Sequence, residues 1–479
     1  MEYEYDAVVI GSGPNGLAAA ITLQQQNLSV LLLEAKETIG GGMRTAELTI
    51  PGYQHDICSA VHPLGASSPI FTTFPLADFG LEWLYPEAAL AHPFDDGTAG
   101  ILYPSIEATA DTLGIDAAAY ISLMAPLVDI WDNISKDLLG PFCVPSEIGK
   151  AMRFGFQAVK SAENLAFKSF KGEKARGFFG GLAAHSMLPL NKLLSASFGL
   201  VLGILGHKVN WPCPKGGSQS LANALANYFK SIGGTIQTET HIHGLKNIPP
   251  SKIKLFDVTP KQLLEIVGDH FPPSYRKRME NYRYGHGVFK VDWAISEPIP
   301  FKAKNCRKAG TVHLGGSFNE IAAAEKSVWQ NKNHSKPYVL LAQPSLIDET
   351  RTNNNKHTAW AYCHVPRNST ENMTTIIENQ VERFAPGFKD IIVAKHIMNT
   401  QDMQYYNPNY IGGDINGGVQ DLWQHFTRPV MRWSPYTTPL FDVYICSSST
   451  PPGGGVHGMC GFHAAKRALA DHYGVGIKL

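Results

Sequence analysis

The chain has 479 residues, 44% of them hydrophobic and 17% charged, which suits a protein with a sizeable core and more than one domain. Its 41 Lys plus Arg balance 41 Asp plus Glu, so the basic surplus of a nucleic-acid binder is absent. Seven scattered cysteines with no C-x-x-C pair argue against a disulfide framework, a zinc site or a redox dithiol, and fit a reducing, cytoplasmic setting.

In chain order, residues 7–10 (AVVI) form a buried parallel strand rather than a secretory leader, because they run straight into a glycine turn at 11–16. A helix from 17 to about 26 and a strand at 29–33 complete a βαβ unit, the opening of a doubly wound α/β domain. Apolar residues at three- and four-residue spacing predict helices over 116–139 and 150–169, a lid or one wall of a cavity. The longest uncharged apolar stretch, 193–206, is shorter than the roughly 20 residues of a membrane span. It reads as buried or interfacial, allowing peripheral membrane contact without crossing.

Residues 208–270 return to α/β character: Gly216-Gly217 opens a helix over 218–230, and strands are expected at 235–242 and 253–258. From 285 to 400 the chain is strand-rich. Alternation over 288–295 places Phe289, Val291 and Trp293 on one face, and Lys290, Asp292 and Ala294 on the other. Strands at 338–346 and 358–365 flank a polar loop at 351–357, as in an antiparallel hairpin, and a helix follows at 371–384. The end of the chain repeats the opening pattern, with a strand at 443–446, a glycine-rich loop and a helix over 458–472.

Gly11-Ser12-Gly13-Pro14-Asn15-Gly16 is G-x-G-x-x-G between a strand and a helix, which presents backbone N–H groups and a positive dipole end to a pyrophosphate. The second strand ends in Glu34, followed by Ala35, where a carboxylate accepts ribose hydroxyls and disfavours a 2′-phosphate. A second cluster, Gly40-Gly41-Gly42-Met43-Arg44, suits FAD better than NAD, since the longer cofactor passes a further stretch of backbone and Arg44 can pair with a phosphate. Far away, Ser447-Ser448-Ser449-Thr450-Pro451-Pro452-Gly453-Gly454-Gly455-Val456-His457-Gly458 lets backbone lie against a flat ring, with a helix dipole beneath its edge. FAD is expected to be held without a covalent link.

Residues for the chemistry itself are weaker candidates. Lys290 and Asp292 are expected as an ion pair at a surface, with the cavity as their alternative destination. His457 either contacts the ring or serves only through its backbone. His55-Asp56 and His62 either approach the ring or cap structure, and Tyr405-Tyr406 either wall the cavity or pack in the core.

The blocks VVIGSGPNGLAAA, EAKETIGGGMRT and PGYQHD, the mid-chain P-x-G-G-S at 214–218 and the late YICSSSTPPGGGVHGMCGFHAA resemble the phytoene desaturase-like branch of the FAD-dependent amine oxidase superfamily. The resemblance implies an adenine near Ile242 and a flavin between Met43-Arg44 and Val456 to Met459. It implies an α/β fold: a Rossmann-type FAD-binding domain built from 1–66, 208–270 and 431–479, with a discontinuous α+β substrate domain comprising a helical lid at 67–207 and a strand-rich part at 271–430. Only one well-placed dinucleotide fingerprint is present, so oxygen or a quinone is the expected electron acceptor. The expected activity is dehydrogenation or isomerisation of a small hydrophobic substrate. An amine oxidase is the enzymatic alternative, and a non-catalytic carrier on the same fold the alternative of another class.

Overall fold

The computed structural model describes residues 3–353 and 356–479; part of the loop expected at 351–357 lies outside them. Five parallel strands form one sheet in the order Val443–Ile445, Ser251–Phe256, Tyr5–Ile10, Val30–Leu33, Thr235–Gln237. Val9 sits level with Leu32 on one side and Leu255 on the other, and Leu255 with Tyr444. Both faces are covered, as a parallel sheet requires. Ala7 and Val9 pack against the helices Pro14–Gln24, Ser218–Ser231 and Met459–Tyr473. Val8 and Ile10 pack against Pro260–Val267 and Pro273–Glu280 on the opposite side. The beginning, middle and end of the chain thus share one sheet.

Contact between the first and last helices is made through backbone. A Cβ on Gly461 would lie 1.8 Å from the Asn15 carbonyl oxygen, so no other residue fits there. Pro14 begins the first helix with its φ already set, and Gly474, left-handed at φ 65°, ends the last.

The second sheet has seven strands in the order Ile392–Met398, Gly287–Ile295, His357–Val365, Val339–Ala342, Ala309–Leu314, Ala88–Pro93, Ala99–Leu102. All neighbours are antiparallel except Ala309–Leu314 with Ala88–Pro93. The expected hairpin forms, with Leu341 opposite Ala361. Two of these strands fall in the block 67–207 that was expected to be helical. The reason is visible in Ala88–Pro93 (AALAHP), which is buried on both faces and so shows no alternation.

The remainder of that block is a helical layer running from Ile106–Asp111 to Ser195–Lys208. The single helix expected over 150–169 is two, Ile148–Ala158 and Ala162–Ser169, because Ser161 leaves helical geometry and its side chain accepts from the Asn164 N–H. The apolar stretch 193–206 is mostly the helix Ser195–Lys208, whose Leu200, Ile204 and Leu205 are core. Residues 114–138 are long and apolar enough to cross a bilayer by length and composition, but Tyr120, Met124, Leu127, Trp131 and Ile134 pack inside the protein. The strand expected over 235–242 stops at Gln237.

Gly461→Val forces the first and last helices apart. We expect a loss of about 3 kcal/mol, read as a lower urea midpoint at unchanged slope.

Candidate functional site

The loop after Tyr5–Ile10 closes so tightly that a Cβ on Gly16 would lie 1.9 Å from the Gly11 carbonyl oxygen, and Gly11 itself has φ 100°. Glu34 pins this loop. Its Oε2 accepts from the Ser12 N–H at 3.0 Å and from the Ser12 hydroxyl, while its Oε1 accepts from Lys36 N–H at 2.9 Å and from Arg44 Nη2 at 3.2 Å. Four protein donors occupy the carboxylate, so a ribose hydroxyl reaches it only by sharing an oxygen or displacing one of them. Arg44 also donates to the Thr38 carbonyl through Nε and Nη2, and its guanidinium stands 5.5 Å from the Tyr406 ring centre. These bonds hold the Arg44 guanidinium at the cavity beside the glycine turn.

Gly11, Gly13, Pro14, Asn15, Glu34, Ala35, Gly41, Gly42, Arg44, Ile242, Ser448, Gly455 and Val456 line one cavity of about 800 Å³. That volume lies in the range of roughly 300–1,000 Å³ usual for cofactor and ligand sites. The two ends of the chain meet directly here, where Asn15 Nδ2 donates to Ser448 Oγ at 3.4 Å.

Gly16, Met43, His457 and Met459 do not line it. The Gly16 N–H donates to Asp257 Oδ2 at 3.0 Å. Met43 and Met459 are core residues beside the first helix. His457 is buried, with Nδ1 accepting from Met459 N–H at 3.0 Å and Nε2 3.3 Å from the Gly453 carbonyl. Burial pushes its imidazole down to about 4. Its side chain caps the last helix rather than facing the cavity.

Lys290 and Asp292 correct the expectation of a surface pair. Both are fully buried and paired with each other, with His55 Nδ1 3.8 Å and His396 Nδ1 3.5 Å from the Asp292 carboxylate. Burial opposes ionisation of Asp292, but Lys290 and His396 hold its carboxyl below the usual range. The Lys290 ammonium lies 5.2 Å from the ring centre of Trp360, which lines the cavity, so the pair stands behind the wall.

Asp56 has a structural place. It accepts from the Ser218 N–H at 2.8 Å, the Thr45 hydroxyl at 2.7 Å and Arg351 Nη1 at 2.8 Å. His55 bonds Thr49, whereas His62 bonds the Ser218 hydroxyl at 2.8 Å and does line the cavity. Tyr406 lines the cavity, donating to the Gly41 carbonyl at 2.6 Å, but Tyr405 is 84% exposed.

Sequence reasoning missed Asp257, at the end of the strand Ser251–Phe256. Its carboxyl lies in the glycine turn, so close that a Cβ on Gly13 would sit 2.6 Å from Oδ2. Burial, with the nearby charge of Glu34 adding to it, pushes Asp257 up to about 7 against the pull of the Gly16 N–H. The available signal was an acid at the carboxyl end of a parallel strand, where doubly wound domains bind ligands. His185, Leu202, Trp211, Leu340, Trp360 and Tyr362, from the lid and second sheet, were also missed as cavity wall.

The residues present fit an extended dinucleotide. Backbone N–H groups open a helix at the turn, a carboxylate ends the second strand, and the late glycine loop closes the other side. The buried Asn15 Oδ1 and Gln262 Oε1 stand at the cavity with no protein partner, as ligand-facing groups would.

The fold is that of the two-domain FAD-type oxidoreductases, the amine-oxidase-like architecture. Residues 9–74 match the NAD(P)-binding Rossmann-like domain. The chain is similar to pyridine nucleotide-disulfide oxidoreductase domain-containing protein 2 of Rattus norvegicus, 23% identical over 98% of this chain and 94% of that protein. Among solved structures it is similar to an oxidoreductase from Methanosarcina mazei, with a TM-score of 0.66 and 12% identity over 97% of this chain and 99% of that one. It is also similar to cyclohexylamine oxidase from Brevibacterium oxydans, with a TM-score of 0.60 and 15% identity over 97% and 98%.

Because the Asp257 pKa is raised from 3.8 to about 7, the native state keeps a proton that the unfolded chain releases, and stability falls as pH rises through that window. Asp257→Asn lacks this loss. We expect it to melt with wild type near pH 4 but a few degrees (~2–4 °C) above it near pH 8 by calorimetry.

Proposed function

We propose that the protein is an FAD-dependent oxidoreductase that dehydrogenates or isomerises an uncharged, polyene- or lipid-like substrate, with oxygen or a quinone as electron acceptor. One observation carries the substrate class. Among the described residues, the charged side chains lining the cavity are Glu34, Lys36, Arg44, Asp257 and Glu265, all on the nucleotide-binding domain. The wall from the lid and second sheet is Leu202, Leu340, Trp211, Trp360, Tyr362 and His185, with no carboxylate to pair with an ammonium group.

A bound flavin supplies the two-electron chemistry. The protein's part is to hold the dinucleotide on the Gly11–Asn15 turn, orient the substrate against aromatic faces and keep water out. Lys290 and Asp292 form a buried ion pair behind Trp360, on the side away from the cavity. The likeness to cyclohexylamine oxidase favours a second reading, oxidation of a neutral amine. Anaerobic mixing of the purified protein with a polyene alcohol and with cyclohexylamine separates the two. Flavin bleaching by the polyene is expected, and bleaching by the amine alone overturns the preferred reading.

Peripheral membrane contact is part of the same proposal, supported by a surface other than the stretch 193–206. Phe142 (87% exposed), Ile148, Met152 and Phe156 present an apolar ridge. Phe142 meets Phe426 edge to face at 5.9 Å, and Trp423, Met431 and Trp433 extend exposed apolar surface over the same segment as Phe426. Scattered apolar side chains are ordinary, and the clustering of these supports the proposed contact. The double variant Phe142→Ser, Phe156→Ser is expected to float with phosphatidylcholine–phosphatidylglycerol vesicles several-fold less than wild type.

Glu34→Ala removes the tie between turn, second strand and Arg44. Protein-bound FAD, measured after heat release, is expected to fall at least about five-fold. Full FAD occupancy in that variant removes Glu34 from the nucleotide site.

A further inference from the structure

Three imidazoles that the proposed chemistry leaves unused run in a row from the cavity wall into the second sheet. His185, the residue ending the helix Glu173–Ala184, lines the cavity with its ring edge-on to Trp211 at 5.8 Å. His313 and His92 lie on neighbouring strands, Ala309–Leu314 and Ala88–Pro93, and both are fully buried. His185 Nε2 is 2.8 Å from His313 Nε2, and His92 Nε2 is 2.7 Å from the Gly316 carbonyl oxygen. The Nδ1 atoms of His313 and His92 have no protein partner. Each lies 2.9 Å from the point where a Cβ on Gly181 would sit, so the glycine leaves the gap between them open. Among the described residues no group of three His, Cys, Asp or Glu side chains is placed to hold a metal. His185 and His313 share a hydrogen bond, and His313 and His92 face one another across the gap.

Burial keeps all three rings neutral, His185 at about 3, His92 at about 4 and His313 well below its usual value. A neutral imidazole has one N–H and one lone pair. A carbonyl only accepts, so His92 carries its hydrogen on Nε2 and turns a lone pair from Nδ1 toward the gap. A second lone pair on His313 Nδ1 would oppose it in a weakly screening interior, whereas an N–H there is attracted. His313 is therefore protonated on Nδ1 and accepts at Nε2. His185 must donate to it from Nε2, which leaves His185 Nδ1 as a lone pair. No protein donor reaches that atom, and the ring borders the cavity.

We infer that His185, with its tautomer set from Gly316 through His92 and His313, presents a fixed hydrogen-bond acceptor to the cavity and selects hydrophobic ligands that carry a hydroxyl. The inference rests on the uncharged, hydrophobic substrate class proposed above. A site built around one polar contact discriminates strongly against a ligand that lacks the matching donor. His185 is here a specificity-determining residue.

The test is a tryptophan-fluorescence titration of the FAD-loaded protein, since Trp211 and Trp360 form the wall, using geranylgeraniol and its methyl ether as probes. Wild type is expected to bind the alcohol at least about ten-fold more tightly than the ether. His185→Phe is expected to bind both equally, with ether affinity unchanged. His185→Gln, which can still accept, retains part of the preference and serves if the phenylalanine variant misfolds. His92→Phe, which touches no ligand, reduces the preference by releasing the tautomer, an effect that a purely packing role for the row does not produce. Equal binding of alcohol and ether by wild type, or an undiminished preference in His185→Phe, overturns the inference and leaves the substrate class standing. Binding of cyclohexylamine with neither prenyl probe bound overturns the substrate class itself.

Discussion

Residues separated by almost the whole chain are held in backbone contact by a single close crossing, where Gly461 lies on the Asn15 carbonyl and Ser448 reaches the Asn15 amide. The glycine turn at 11–16 is tied to Glu34 and Asp257, and the late loop at 447–458 to Ser68 and Gly417; the two meet where those helices lock. Once they do, the nucleotide turn, the carboxylate of Glu34 and the late loop share one cavity, and every other feature of the site is placed relative to that frame. Packing of this kind tolerates no added methylene, because interiors are close-packed and the neighbour here is backbone rather than a flexible side chain.

A second constraint ties the nucleotide domain to the sheet that walls the substrate space. Arg351 bridges Asp56 and Asp348, all three fully buried, while Asp56 takes the Ser218 N–H and Asp348 the Gly216 N–H. Two carboxylates around one guanidinium, each completed by a backbone donor, are the arrangement in which buried charge is tolerated. Arg351 was expected in a polar loop. Its role is to fix the P-x-G-G-S turn against the hairpin.

What could be read in the sequence was whatever local backbone geometry dictates. The turn at 11–16, the acid at 34 and the parallel strands at 7–10 and 253–258 follow from glycine spacing and apolar runs. The face shared by Lys290 and Asp292 was legible too, but alternation says which residues lie together and not what covers them, so their burial was not. His457 shows the same limit: a loop position reveals that backbone passes the ligand, while the direction of the side chain depends on Met459 and Gly453. The cavity wall draws His185, Trp211, Leu340 and Trp360 from segments far apart, and no periodic pattern connects them.

The interrupted nucleotide domain also sets an order of assembly. Residues 5–33 leave the ribosome long before their sheet gains the strand Val443–Ile445 and the covering helix Met459–Tyr473. Until then an apolar parallel sheet lacks one neighbour and part of one face, a slow, non-local topology that exposes aggregation-prone surface. Loss of residues 465–479 alone removes most of the helix Met459–Tyr473, and with it cover for strands that were made hundreds of residues earlier.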